Sequence, residues 1–117
     1  METNLNGLGV LTQLLDASAL RHRVIAQNVA NVNTPGYRRQ AVTFEADLAK
    51  TLAASGTGDK PVKPRVVTDD GPERADGNTV DIDREMNDLG RNALVYQAAT
   101  QIIASRVASM RSAISGR

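Results

Sequence analysis

Residues 6–32 read NGLGVLTQLLDASALRHRVIAQNVANV. Within them Leu8, Leu11, Leu15, Ser18, His22, Ile25, Val29 and Val32 follow one another at alternating steps of three and four. An α-helix turns once every 3.6 residues, so this spacing lines one side of a helix as a heptad seam. Leu14, Ala17, Arg21 and Val24 form a weaker stripe beside it. Asn4 or Asn6 is placed to cap the start, where the first turn leaves backbone N–H groups unpaired. Gly7 and Gly9 weaken that turn, which is expected to fray.

The far end of the chain repeats this period without repeating the sequence. Ile82, Met86, Leu89, Ala93, Tyr96, Thr100, Ile103, Val107, Met110 and Ile114 predict a second helix to about Ser115. Asp81 is its expected N-cap, and Asp83 and Glu85 suit the positive end of its dipole. Arg106, Arg111 and Arg117 suit the negative end. Gly90 costs about 1 kcal/mol relative to alanine inside a helix, which predicts a place where another backbone comes close. Ser18, His22 and Thr100 interrupt the apolar seams, and polar residues at such positions are expected to set register.

The middle of the chain is different. Thr43–Ala54 predicts a short helix with Phe44, Leu48 and Leu52 on one face. Ser55–Pro61 has the composition of a flexible linker. Pro64–Thr68 reads as a short extended segment, and Asp69-Asp70-Gly71-Pro72 and Asp76-Gly77-Asn78 read as turns. The expected fold is mainly α: two long terminal heptad helices packed as an antiparallel coiled-coil-like pair, with a short helix and an irregular or extended middle. Residues 1–36 hold the first helix and its turn, 37–80 the middle segment, and 81–117 the second helix, which forms one structural domain with 1–36.

Composition bounds the function. A chain of 117 residues fits one domain. Aromatic residues are only Tyr37, Phe44 and Tyr96, so the core must come from aliphatic side chains, which suits helix against helix. Formal net charge is +1 with acids and bases interspersed, and no basic block marks a nucleic-acid partner. There is no cysteine, which excludes disulfides and thiolate metal sites. The acidic start at Glu2 and the lack of an apolar signal core predict no cleaved signal peptide. Asp16, Arg21, His22 and Arg23 interrupt the best candidate membrane span. Cofactors, metals and small-molecule substrates are not expected. His22 has no second histidine to share a metal, and Asp76, Asn78, Asp81 and Asp83 lack the spacing of a calcium loop. Glu45, Asp47 and Glu85 read as solvated acids, Arg38-Arg39 as a solvated pair, and Met86 and Met110 as packing residues. No convergent nucleophile and base suggests a hydrolase, so no catalytic residue is assigned.

Between the first helix and the middle lies Asn28-Val29-Ala30-Asn31-Val32-Asn33-Thr34-Pro35-Gly36-Tyr37. Physically this is a helix stop. Asn31 or Asn33 is suited to a left-handed conformation at the helix end. Thr34 is pushed out of helix by the following proline. Pro35-Gly36 suits the centre of a type II turn, after which Tyr37 is expected to fold back against the helix. Heptad seams alone fit a free-standing cytoplasmic coiled-coil adaptor or regulator equally well.

The run from Asn28 to Tyr37, at the end of an N-terminal heptad helix, resembles the signature of the flagellar axial family of rod, hook and hook-associated proteins. Within that family, Arg23–Asn28, Val42–Leu48, Asp76–Met86 and Asn92–Ala98 are similar to the proximal-rod members. The resemblance implies a structural rod subunit that polymerises through its terminal helices and passes torque from the membrane ring to the hook. It implies unfolded passage through the flagellar type III export apparatus and residence in the rod, in the periplasmic space. The implied partners are copies of the chain, other flagellar rod proteins and proteins of the membrane-ring/rod junction. The implied assembly seam is Leu8, Leu11, Leu15, Ile25, Val29, Val32, Ile82, Met86, Leu89, Tyr96, Ile103, Val107 and Met110. The implied turn motif is Asn28, Asn31, Asn33, Thr34, Pro35, Gly36 and Tyr37.

Overall fold

A computed structural model describes residues 2–55 and 60–116 of the chain. Most of the linker expected over Ser55–Pro61 lies outside the described residues. The first helix, α1, spans Glu2–Ala30. It runs unbroken through Gly7 and Gly9, and it contains Asn4 and Asn6, so neither asparagine stands at its N-cap. At Gly7 the bare backbone leaves room for the Arg106 guanidinium: a Cβ there would sit 2.0 Å from Arg106 Nη1.

The chain then turns back. A strand β1, Gln40–Thr43, pairs antiparallel with β2, Arg65–Thr68, in the register Gln40↔Thr68 and Val42↔Val66. β2 matches the predicted extended segment. β1 went unread because four residues carry too little alternation to signal a strand. Between them α2 spans Glu45–Ser55, with Glu45 and Asp47 in its first turn. Its fully buried neighbour Phe44 anchors the small core.

The last helix, α3, spans Ile82–Ser115. Asp81 caps it as expected, its side chain accepting from the Asp83 N–H at 3.0 Å. Gly116 closes it in a left-handed conformation, φ 70°, donating its N–H to the Ser112 carbonyl. Beyond its own helix turn, no atom of the described residues lies within 4 Å of the position a Cβ would take at Gly90, so the expected close backbone is not found among them. Three residue pairs fix the packing of α1 on α3: Asn28 with Glu85, Ser18 with Asn92, and Gly7 with Arg106. As one number rises the other falls, so the helices are antiparallel.

The molecule measures 64 × 30 × 14 Å. Its radius of gyration is 17.9 Å. A compact domain of this length has about 13 Å. The buried apolar residues Val24, Ile25, Val42, Phe44 and Val80 gather where α1 ends and α3 begins, while Ala17 and Ala99 carry the contact outward along the helix pair. No described helix is long and apolar enough to cross a membrane.

Candidate assembly site: the clasped junction and the open seams

α1 ends by a tightened turn. The Asn31 N–H is shared between the carbonyls of Gln27 (3.1 Å) and Asn28 (3.2 Å), and the Val32 N–H reaches Val29 at 3.2 Å. No described residue other than glycine has a positive φ, so the left-handed conformation expected of Asn31 or Asn33 is absent. The reason lies far along the chain. The last carbonyls of a helix need donors, and the buried Asn78 amide supplies them to Asn31 (2.9 Å), Val32 (3.2 Å) and Thr34 (2.8 Å). Arg74 adds a further hydrogen bond to the Val32 carbonyl. With the cap provided from elsewhere, no local reversal is required. Pro35-Gly36 does form the expected turn, with Gly36 at φ 75° and the Tyr37 N–H on the Thr34 carbonyl at 3.2 Å.

The turn is pressed against a second one. Gly77 has φ 83°, and a Cβ there would meet the Gly36 Cα at 3.5 Å. The Gly36 N–H donates to the Asp76 carbonyl at 2.9 Å. The motif's conformation therefore depends on residues 74–78.

Asn28 is the second centre. Its side chain is fully buried, accepts from the Gln40 N–H at 3.0 Å, and donates to the Gln40 carbonyl at 2.8 Å and to Glu85 at 3.1 Å. Thus one amide pairs both backbone groups of a β1 residue and holds α3. The Tyr37 hydroxyl folds back toward it, at 3.4 Å from Asn28 Oδ1. Burial, and the nearby Glu85 carboxylate, raise the Tyr37 pKa above its ordinary value.

Arg39 completes the clasp and corrects the reading of a solvated pair. It is buried and hydrogen-bonds Glu85, Asp69 (2.6 Å) and Asp88 (3.0 Å). Burial works against its charge, but the bonds to Glu85 and Asp69 prevail and hold its pKa above the ordinary value. Glu85, also read as solvated, is fully buried. Arg39 therefore ties α3 to both strands. Glu45 and Asp47 do not converge with Glu85: they pair with Arg21 and Arg65 at 2.8 and 3.0 Å.

Glu85, Asn92, Ala99 and Arg106 recur every seven residues. Three of these face α1, and Arg106 lies over Gly7. This polar and small heptad, not the apolar one, is the side α3 turns to its partner. The apolar seam is rotated by roughly a quarter turn. Ile82, Met86, Tyr96, Val107 and Met110 are exposed, and Leu89 and Ile103 are half-buried. On α1, Ile25 is buried, while Leu8, Leu11, Leu15, Val29 and Val32 are half-buried. The seams meet in a groove of about 430 Å³ lined by Ser18 and His22 from one and Ala93 and Tyr96 from the other. Among the described residues, nine of the ten exposed large apolar side chains lie on α3.

The molecule is a helix hairpin clasped by buried polar bonds at one end, with apolar side chains of α3 exposed along its length. No group of three or more metal-ligating side chains occurs among the described residues. The family model described as "Flagella basal body rod protein" matches residues 15–38, the second half of α1 and the turn. The flagellar basal body rod protein FlgB of Borrelia hermsii is 38% identical over 82% of this chain and 86% of its own. That of Proteus mirabilis is 34% identical over 77% and 80%. That of Salmonella typhimurium is 28% identical over 89% of each. The chain belongs to the FlgB family of flagellar basal body rod proteins. It is a structural subunit of the proximal rod.

Proposed function

We propose that the chain polymerises through the groove between its two seams, and that the seam residues of α1 and α3 are the assembly surface. The observation that carries this reading is the open apolar face of α3, with Met86 54% and Tyr96 47% exposed. Water-exposed apolar rows of this length are costly in a free monomer and mark a surface for other helices. The partners are copies of the chain, other rod proteins and the proteins that join the rod to the membrane ring. The work is mechanical: interlocked helices pass torque toward the hook. The chain catalyses no reaction in this reading. It takes the type III export route without a cleaved signal and resides in the periplasmic rod.

The test is in the cell. Leu15→Asp or Ile103→Asp places a charge in the seam, while the clasp at residues 28, 39 and 85 is untouched. Each variant should be exported normally, fail to join the rod, and abolish motility. Full motility with either one removes the seam assignment.

A further inference from the structure

The small sheet has one edge closed and one open. In β1 the groups that face away from β2 are taken by side chains of α1. The Asn28 amide pairs both backbone groups of Gln40, and Arg21 donates to the Val42 carbonyl at 3.2 Å. In β2 the equivalent groups are those of Val66 and Thr68. Ala41↔Val67 and Thr43↔Arg65 are partners across the ladder, and the Asp69 N–H reaches the Arg39 carbonyl at 2.9 Å. Hydrogen bonding alternates along an antiparallel pair, so Arg65 and Val67 bond to β1 while the backbone groups of Val66 and Thr68 point outward. Neither has a backbone hydrogen-bond partner among the described residues. Val66 is 48% exposed, and Thr68 is exposed as well.

An open edge is a template for a further strand, and the charges beside it select which one. Lys63 and Arg65 stand at the start of β2, and Asp69 and Asp70 follow its end. Arg65 is held by Asp47, and Asp69 by Arg39 and Arg84. Lys63 and Asp70 remain. Lys63 is exposed and has no ion pair among the described residues. The Asp70 side chain is 81% exposed, with Arg38 at 4.0 Å. A second β2 laid parallel to the first would set like charges together. Laid antiparallel, it sets Lys63 beside Asp70 at both ends of the contact.

We infer that β2 pairs antiparallel with β2 of a second copy, centred on Val67. Val66 of one copy then exchanges both its backbone bonds with Thr68 of the other, and Thr68 does the same with Val66. Setting Val66 against Val66 would instead oppose Thr68 to Pro64, which has no N–H to give. Pro64 and Pro72 confine the contact to this short strand. The same surface serves on both copies, so the contact is isologous and closes on a pair. Paired chains point in opposite directions. A polymer that grows head to tail has no place for such a pair, so the contact joins free chains and opens before a chain enters the rod. It uses none of the seam residues.

The test uses the whole chain carrying Leu15→Asp, which disables the seam, and exploits the native absence of cysteine. Val67→Cys should give a disulfide-linked dimer on mild oxidation, because Cα atoms about 4.5 Å apart across the pair suit the bond. Glu73→Cys, exposed and beyond the strand, should stay monomeric under the same conditions. Val66→Pro removes an outward N–H and no bond to β1. It should weaken the dimer about tenfold to a hundredfold in sedimentation, since each two-fold pair loses the bond twice. Lys63→Glu and Asp70→Lys should each weaken it about threefold to tenfold, and mixing the two should restore it. That mixture decides the matter if Val66→Pro does not fold. Absence of the 67–67 product overturns the inference, as does a 73–73 product of equal yield. A Lys63→Cys chain that links 63 to 63 in place of 67 to 67 shows parallel pairing and overturns it too. A dimer seen in the parent but lost with Leu15→Asp belongs to the seam, which overturns the edge and leaves the seam reading standing. A 67–67 dimer together with full motility of Leu15→Asp keeps the edge and removes the seam.

Discussion

Asn28, Arg39, Asn78 and Glu85 do most to hold the junction, and none is apolar. Their value lies in satisfaction: a buried carbonyl or carboxylate without a donor costs far more than a satisfied one contributes. Asn78→Ala strips donors from the carbonyls of Asn31, Val32 and Thr34. The expected loss is about 1–3 kcal/mol, read as a lower urea midpoint with an unchanged slope. Arg39→Ala leaves Glu85 buried without its main counter-charge, and the expected loss is about 3–5 kcal/mol by the same measurement. A pH effect accompanies the Arg21–Glu45 pair. Burial alone would raise the Glu45 pKa, but the hydrogen bond of Arg21, the backbone hydrogen bonds at the start of α2 and the charge of Arg21 together outweigh it, and the pKa falls below the ordinary carboxylate value. A carboxylate depressed in the folded state stabilises above its unfolded pKa, and this is lost as pH falls through the folded value. Arg21→Met should therefore flatten the fall of stability on the acid side and leave the slope near neutrality unchanged. Glu45 is more than half exposed, so the change will be small.

The elements were legible to different degrees. α3 was predicted at its observed bounds because ten apolar or small residues keep one period and Asp81 announces the cap. The turn at Pro35-Gly36 was legible because proline and glycine restrict the backbone locally. Its stabilisation was not: Asn78 acts across 47 residues, and Arg39 meets Glu85 across 46. Composition carries no sign of contacts that distant. The side α3 presents to α1 was missed for another reason. Hydrophobic periodicity finds apolar rows, and the facing row of Glu85, Asn92, Ala99 and Arg106 is not one. That row includes an imperfection. Asn92 donates to the Ser18 carbonyl at 2.8 Å, but Ser18 Oγ and Asn92 Oδ1 are buried without hydrogen-bond partners among the described residues. Ser18→Ala removes one of these orphan groups and improves helix propensity. The purified chain should gain about 0.5–1 kcal/mol, seen as a raised thermal midpoint.

At the scale of the whole molecule, polar bonds fasten one end and apolar surface remains open along the rest. This division suits a part that must hold its junction geometry before its helices find neighbours. Gly90 tests the division directly. It lies inside α3, just past the clasp, where a glycine lowers helix stability by about 1 kcal/mol relative to alanine. Among the described residues no contact justifies that cost, since beyond its own helix turn no atom lies within 4 Å of the missing Cβ. If the glycine admits the backbone of a neighbouring helix in the rod, Gly90→Ala should separate stability from function. The purified variant should unfold about 1 kcal/mol later in urea. Its export should be normal, and its incorporation into the rod, measured against the parent chain in the same cells, should fall. A variant that is more stable and assembles as well as its parent would show that no neighbour comes close at this position. Gly90 would then be a local weakness of α3 and no part of its assembly surface.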